Sequence, residues 1–173
     1  LVGDSVSMVL YGMKTTKEIK IDTLILHAKA VKKMCKRSLV VFDMPYNTYQ
    51  NKNLAFKNAK KVIKQTNCDA IKLEGGKKIT NIVKHLVKNN IPVMGHIGLL
   101  PQTSKDFKVK GKNKVQQNKI YQDAIALNNS GVFSIVIECV VESLAKKITK
   151  NTLVPTIGTV SYTHLRAHET IPD

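Results

Sequence analysis

The sequence predicts an α/β fold with parallel strands, and two observations support this prediction. Short apolar runs alternate along the 173 residues with longer segments whose apolar residues recur at helical spacing. Five of these apolar runs end in an ionisable residue, which is typical of parallel strands whose carboxyl ends line a ligand site. The length is that of about one domain, and no apolar run approaches the roughly 20 residues that span a bilayer.

The stretch at residues 69–76 carries two charges inside a predicted buried strand and then stops at a glycine pair. Strand side chains alternate, so Lys72 and Glu74 share one face. Burying two opposite charges is costly unless they compensate each other or a metal or a ligand compensates them. All three alternatives remain open. The other ionisable strand ends are Asp4 (followed by Ser5), Asp43, His96 and Glu138, and a sixth run ends uncharged at Gly158.

The segments between these strands are predicted helices. Their apolar positions indicate helices around residues 21–31, 55–63, 79–87, 115–127 and 141–148, and we expect Asn53 to cap the second. The lysine-rich stretch at residues 98–113 is predicted to be irregular. It is either a functional lid or a mobile lysine-rich loop.

The ionisable strand ends favour a barrel over an open sheet. In a doubly wound sheet only a few strand ends would converge, whereas a barrel brings every strand end to one mouth. The chain supplies about six strands, so we expect an incomplete (β/α)8 TIM-type barrel with about six of its eight strands.

The composition favours solvated helix faces over a nucleic-acid-binding surface. The net charge is +16, but 26 of the 28 basic residues are lysines, leaving Arg37 and Arg166, and many of these lysines lie on predicted helix faces. Without arginine forks or interleaved aromatic residues, we interpret the lysines as solvated helix faces. Three widely spaced cysteines predict free thiols in a reducing compartment.

The predicted strand ends carry the chemistry of a magnesium site. Asp4, Asp43 and Glu74 are carboxylates, which suit Mg²⁺. Glu138 is then a candidate base and His96 a second acid, base or hydrogen-bond donor, while Lys72 could stabilise an oxyanion. These residues predict metal-assisted chemistry beside a carbonyl, such as enolisation or aldol addition.

Five motifs, taken together, resemble the ketopantoate hydroxymethyltransferase family. They are Leu-Val-Gly-Asp-Ser at residues 1–5, Asp-Met-Pro at 43–45, Lys-Leu-Glu-Gly-Gly at 72–76, Gly-His-Ile-Gly-Leu-Leu-Pro-Gln at 95–102 and Glu-Cys-Val at 138–140. The resemblance implies a (β/α)8 barrel that forms homo-oligomers in the cytoplasm, with no nucleic-acid or membrane partner. It also implies transfer of a hydroxymethyl group from 5,10-methylenetetrahydrofolate to 3-methyl-2-oxobutanoate, through a magnesium-stabilised enolate, to give 2-dehydropantoate for pantothenate biosynthesis.

The resemblance also implies a role for each matching residue. Magnesium would be held by Asp4, Asp43 and Glu74, directly or through water. The keto acid would contact Asp4, Ser5, Asp43 and Lys72. Glu138 would abstract the proton, supported by His96.

The resemblance ends at about residue 158. We therefore expect residues 1–158 to form a partial barrel domain and residues 159–173 to be an irregular or artefactual tail. Relative to the family, strands are absent at both ends, so we expect this fragment to be inactive although the intact parent is an enzyme. The alternatives are a magnesium-dependent 2-oxo acid lyase of the isocitrate lyase kind and a basic, non-catalytic nucleic-acid-binding module.

Overall fold

The structure, a computed structural model, describes residues 1–104 and 108–159 of the chain. Helices and strands alternate along these residues, as predicted. The elements are α1 (Val6–Val9), α2 (Ile21–Met34), β1 (Val41–Asp43), α3 (Lys52–Thr66), β2 (Ala70–Glu74), α4 (Thr80–Lys88), β3 (Val93–Gly98), α5 (Lys114–Asn128), β4 (Ser134–Glu138), α6 (Glu142–Asn151) and β5 (Thr156–Thr159). Short 3-10 turns lie at Thr16–Glu18 and Gly76–Ile79.

The five strands form one parallel sheet in the order β1-β2-β3-β4-β5. Each strand therefore pairs with its successor, which is the order in which a (β/α) barrel is built and not that of a doubly wound sheet. Val2 adds a single parallel bridge to Phe42, where a further strand was predicted. The predicted α/β fold is confirmed as a partial barrel, which is not closed within the described residues.

The helices are close to the predicted segments, with one correction at a cap. α3 begins at Lys52, one residue before Asn53, and the side chain of the N-cap residue Asn51 accepts the Leu54 N–H at 2.9 Å. Asn53 therefore lies inside the first turn, and the prediction that it caps the helix is wrong. Both asparagines precede the same apolar stripe, so periodicity alone could not decide between them.

The described residues fall into two compact units, each with its own core. The first comprises Leu1–Leu73 with Asn81–Met94, and its largest fully buried side chains are apolar, among them Leu24, Phe42 and Ile71. The second comprises Glu74–Thr80 with the chain from Gly95 onward. In it the largest fully buried side chains include two polar residues, His96 and Gln102, beside Leu127, Ile135 and Ile148. A core that buries a histidine and a glutamine needs polar partners for them.

Two predicted regions lie wholly or partly outside the described residues. Residues 105–107 of the lysine-rich stretch are among them, and so are residues 160–173 of the predicted tail. The boundary proposed at residue 158 therefore stays a prediction, although β5 runs through it to Thr159. No helix in the described ranges is long and apolar enough to cross a bilayer.

Candidate active site

In the first unit, the predicted site residues centre on a buried ion pair between β1 and β2. Asp43, the last residue of β1, lies opposite Lys72 in the strand register. The ammonium nitrogen of Lys72 is 2.8 Å from each carboxylate oxygen of Asp43, and both side chains are about 95% buried. Burying two charges this deeply is costly, and their close mutual contact offsets part of that cost.

Asp4 lies at the same sheet edge as Asp43. The Val2 N–H donates to the Val41 carbonyl, and the Asp43 N–H donates to the Val2 carbonyl, so the first residues run parallel to β1. Asp4 follows two residues later and is 4% exposed, and the exposed Ser5 precedes α1. The structure thus brings Asp4, Asp43 and Lys72 to one edge of the first unit.

In the second unit, a buried imidazole lies between two carboxylates. His96, on β3, is 1% exposed; its Nδ1 is 3.5 Å from an oxygen of Glu74, and its Nε2 is 3.2 Å from an oxygen of Glu138. The Glu74 side chain is buried like the histidine, whereas that of Glu138 is 18% exposed. If the ring is protonated, both carboxylates lie within ion-pair distance of it. Of the two carboxylates, Glu138 is the one that solvent or a ligand can reach more easily.

Backbone groups fix the position of Glu74. The Gln102 N–H donates to the second carboxylate oxygen of Glu74 at 3.1 Å, and the Gly75 N–H donates to the His96 carbonyl. The predicted glycine pair then turns the chain, because Gly75 and Gly76 both have positive φ angles. Asp123 on α5 holds this turn by accepting the Lys77 N–H at 2.7 Å.

A glycine also fixes the approach of Glu138 to the end of β3. Gly98 has a φ of +92°, and a Cβ at this position would lie 2.2 Å from the Glu138 carbonyl oxygen. That carbonyl accepts the Leu99 N–H at 2.8 Å. Only glycine permits the ends of β3 and β4 to meet this closely, so Gly98 sets the distance between His96 and Glu138.

The structure adds two residues to those that the sequence predicted. Gln102 lies within a motif, but nothing in the sequence indicated that its backbone would bind Glu74. Asp123 carried no signal, because its partner is a backbone amide 46 positions earlier in the chain.

The donor chemistry of the sheet edge in the first unit suits magnesium. Among residues 1–104 and 108–159, no group of three or more His, Cys, Asp and Glu side chains is placed to hold a metal ion. Mg²⁺ is, however, commonly bound through one or two carboxylates and completes its shell with water and substrate oxygens. Asp4 and Asp43 supply two such carboxylates, so the residues fit the ion, and the three-carboxylate site stays a prediction.

Comparison with known proteins identifies the family. The family model for ketopantoate hydroxymethyltransferase matches residues 1–166. The 3-methyl-2-oxobutanoate hydroxymethyltransferase of Pelagibacter ubique is 52% identical over 173 residues, which are 100% of this chain and 67% of that protein. Those of Rhizobium etli and Anaplasma marginale are 46% and 44% identical over 91% of the chain.

The chain is shorter than these relatives: it spans 59% of the Rhizobium protein and 58% of the Anaplasma protein. The family match nevertheless covers all five motifs and both groups of buried charged residues described above. This chain therefore belongs to the ketopantoate hydroxymethyltransferase family.

Proposed function

We propose that the intact parent of this chain transfers a hydroxymethyl group from 5,10-methylenetetrahydrofolate to 3-methyl-2-oxobutanoate and yields 2-dehydropantoate in pantothenate biosynthesis. The C3 proton of the keto acid passes to a base, and C3 then forms a bond to the one-carbon unit of the folate. Water supplies the hydroxyl oxygen, and tetrahydrofolate leaves. The observation that carries this proposal is the buried row of Glu74, His96 and Glu138, in a chain whose relatives bear the name of this activity.

Glu138 is the proposed base. It is the more exposed carboxylate of the row, so a substrate carbon can reach it, and it ends a strand at the edge where barrel enzymes place their chemistry. His96 Nε2 lies 3.2 Å from its Oε2, within ion-pair distance when the ring is protonated. After the carbon–carbon bond has formed, Glu138 gives the abstracted proton to a nitrogen of the departing tetrahydrofolate, which leaves the carboxylate ready for a second turnover.

The residues of the first unit are proposed to bind the keto acid. Lys72 presents an ammonium group that can accept the negative charge developing on the keto oxygen, and Asp43 fixes the position of that ammonium. Asp4 and Ser5 would contact the carboxylate end of the substrate. Magnesium, held by Asp4, Asp43 and Glu74, would supply a Lewis acid that acidifies the C3–H bond.

The test is formation of 2-dehydropantoate by the purified intact parent protein with both substrates and Mg²⁺. Glu138→Gln should lower kcat by about 10²- to 10⁴-fold and leave the KM for the keto acid nearly unchanged, because a base acts in the transition state. Asp43→Asn should instead raise the KM for the keto acid and the Mg²⁺ concentration needed for activity. The matched control is Glu142→Gln, an exposed carboxylate four residues beyond Glu138, which should change neither constant.

Two results would contradict the assigned roles. If Glu138→Gln raises KM at constant kcat, Glu138 binds substrate and is not the base. If Asp43→Asn leaves both the KM and the magnesium requirement unchanged, the sheet edge that carries Asp4 and Asp43 is not the substrate site.

A further inference from the structure

A surface cleft between α5 and α6 has no part in the site described above. Its volume is about 310 Å³, and it lies wholly within the second unit. Seven residues line it: Lys114, Gln117, Asn118, Tyr121, Ser143, Leu144 and Lys147. Six of the seven can donate a hydrogen bond, and none is acidic.

The charge of the cleft is positive and is not neutralised locally. Within the described residues, neither Lys114 nor Lys147 forms an ion pair, and the ammonium of Lys147 lies 4.8 Å from the centre of the Tyr121 ring. The two nearest carboxylates along these helices are already engaged: Glu142 pairs with Lys146, and Asp123 accepts the Lys77 N–H. The lysines therefore present two positive charges to whatever occupies the cleft.

Neutral donors lie beside the two ammonium groups. The amide of Asn118 and the hydroxyl of Ser143 form no hydrogen bond with any described residue. Gln117, by contrast, is fixed, because its side chain donates to the Gly111 carbonyl at 2.9 Å. Two ammonium groups with an available amide and hydroxyl make a surface that suits carboxylate oxygens in succession.

The cleft is close to Glu138 along the chain. Ser143 follows Glu138 by five residues, which limits the distance between their Cα atoms to about 18 Å even in a fully extended chain. The strand end after Glu138 is also tied to the lysine-rich stretch, since the Lys110 N–H donates to the Cys139 carbonyl and the Val141 N–H donates to the Lys110 carbonyl. An extended ligand that reacts near Glu138 can therefore reach the cleft.

We propose that this cleft binds a chain of carboxylates, namely the γ-linked glutamate tail of the folate donor. The inference rests on the proposed function, because it takes the folate as the co-substrate. Lysines serve this role well: as flexible point charges they can follow successive carboxylates without the fixed geometry that an arginine fork imposes. Inorganic phosphate is also an anion that the two lysines can bind, so it is the competing ligand for this cleft.

The experiment compares methylenetetrahydrofolate carrying one glutamate with the same donor carrying five. We expect a lower KM for the pentaglutamate donor than for the monoglutamate donor. The difference between the two KM values should decrease as the salt concentration increases. Lys114→Gln and Lys147→Gln should each raise the KM for the pentaglutamate about two- to five-fold, as expected for partly exposed charges, and should leave kcat and the monoglutamate KM unchanged. Lys119→Gln on α5 and Lys150→Gln on α6 are matched controls, because both lysines are exposed and lie outside the cleft.

Equal KM values for the two donors, or equal effects of the cleft and control substitutions, would overturn the proposal. A fluorescent γ-pentaglutamate peptide gives a readout that does not need turnover, and its binding should weaken in the double variant Lys114→Gln/Lys147→Gln. Displacement of this peptide by equimolar inorganic phosphate would overturn the assignment to a carboxylate chain. If neither donor yields product while the peptide still binds at the cleft, the proposed function fails and the cleft assignment stands.

Discussion

Breaking the ion pair between Asp43 and Lys72 should cost a large share of the stability of the fold. The Lys72→Met substitution would leave the Asp43 carboxylate about 95% buried without the ammonium that now lies 2.8 Å from both of its oxygens. Removing one member of such a pair typically costs about 3–5 kcal/mol. Because domains of this size are stable by about 5–15 kcal/mol in total, the variant should unfold at a much lower urea concentration.

The size of the coupling is measured with a double-mutant cycle. Asp43→Asn, Lys72→Met and the double variant are unfolded in urea and followed by circular dichroism. In the double variant neither member of the pair keeps a charge, so its loss of stability should be smaller than the sum of the single losses by about 1–3 kcal/mol. The matched control is the pair of Lys61 and Asp22, whose side chains are 37% and 72% exposed and whose coupling should stay below about 1 kcal/mol.

Two outcomes would refute this reasoning. If Lys72→Met costs less than the control substitution Lys61→Met, the buried charge has found another partner or water has entered. If the losses from Asp43→Asn and Lys72→Met add without coupling, the two side chains do not act as a pair.

Three further measurements test other parts of the structure. Gly76→Ala should lower the melting temperature more than Gly12→Ala. Both glycines have positive φ angles, but a Cβ at Gly76 would lie 2.3 Å from Asp123, whereas a Cβ at Gly12 would meet nothing within 4 Å. Equal losses of melting temperature would contradict this. Hydrogen bonds from Lys32 and the Val40 N–H hold the pKa of Asp69 below its usual range, so the ionised carboxylate stabilises the fold at neutral pH and this effect is lost as the pH falls through the lowered folded-state pKa. Below about pH 4, the free energy of unfolding should therefore decline more steeply in the wild type than in Asp69→Asn. Parallel profiles of urea unfolding against pH would argue against this. Burial raises the pKa of the Cys68 and Cys139 thiols, so iodoacetamide should alkylate both more slowly than the half-buried Cys35 in the folded protein. Peptide mapping measures the three alkylation rates, and equal rates would be inconsistent with the burial of Cys68 and Cys139.

Patterns among neighbouring residues allowed most of the fold to be predicted. Short, mainly apolar runs identified all five strands, and β1 to β4 are buried along nearly their whole length, as is typical of parallel strands covered on both faces. The helical spacing of the apolar residues in α4 and the ionisable residues at the strand ends are likewise patterns of residues close together in sequence. The barrel order followed from those strand ends, and the sheet confirms that each strand pairs with its successor.

Pairings between distant residues could not be predicted in the same way. The sequence indicated that Lys72 and Glu74 share a face, but the partner of Lys72 depends on the register of β1 against β2, which places Asp43 opposite it. His96 was expected at a strand end, yet its position between Glu74 and Glu138 requires that Gly98 let two strand ends meet. The role of Asp123 rests on a contact across 46 residues, for which no local pattern exists.

Exchange of the C3 hydrogen of 3-methyl-2-oxobutanoate with deuterium oxide tests the proposed reaction most directly, since it isolates proton abstraction from the later steps. The purified intact parent protein with Mg²⁺ and no folate should catalyse this exchange, as followed by proton NMR. Glu138→Gln should abolish it, and the control Glu142→Gln should retain it. Exchange that proceeds equally in Glu138→Gln and the wild type would contradict the assignment of Glu138 as the base, and absence of exchange in the wild type, with or without folate, would contradict the proposed hydroxymethyl transfer.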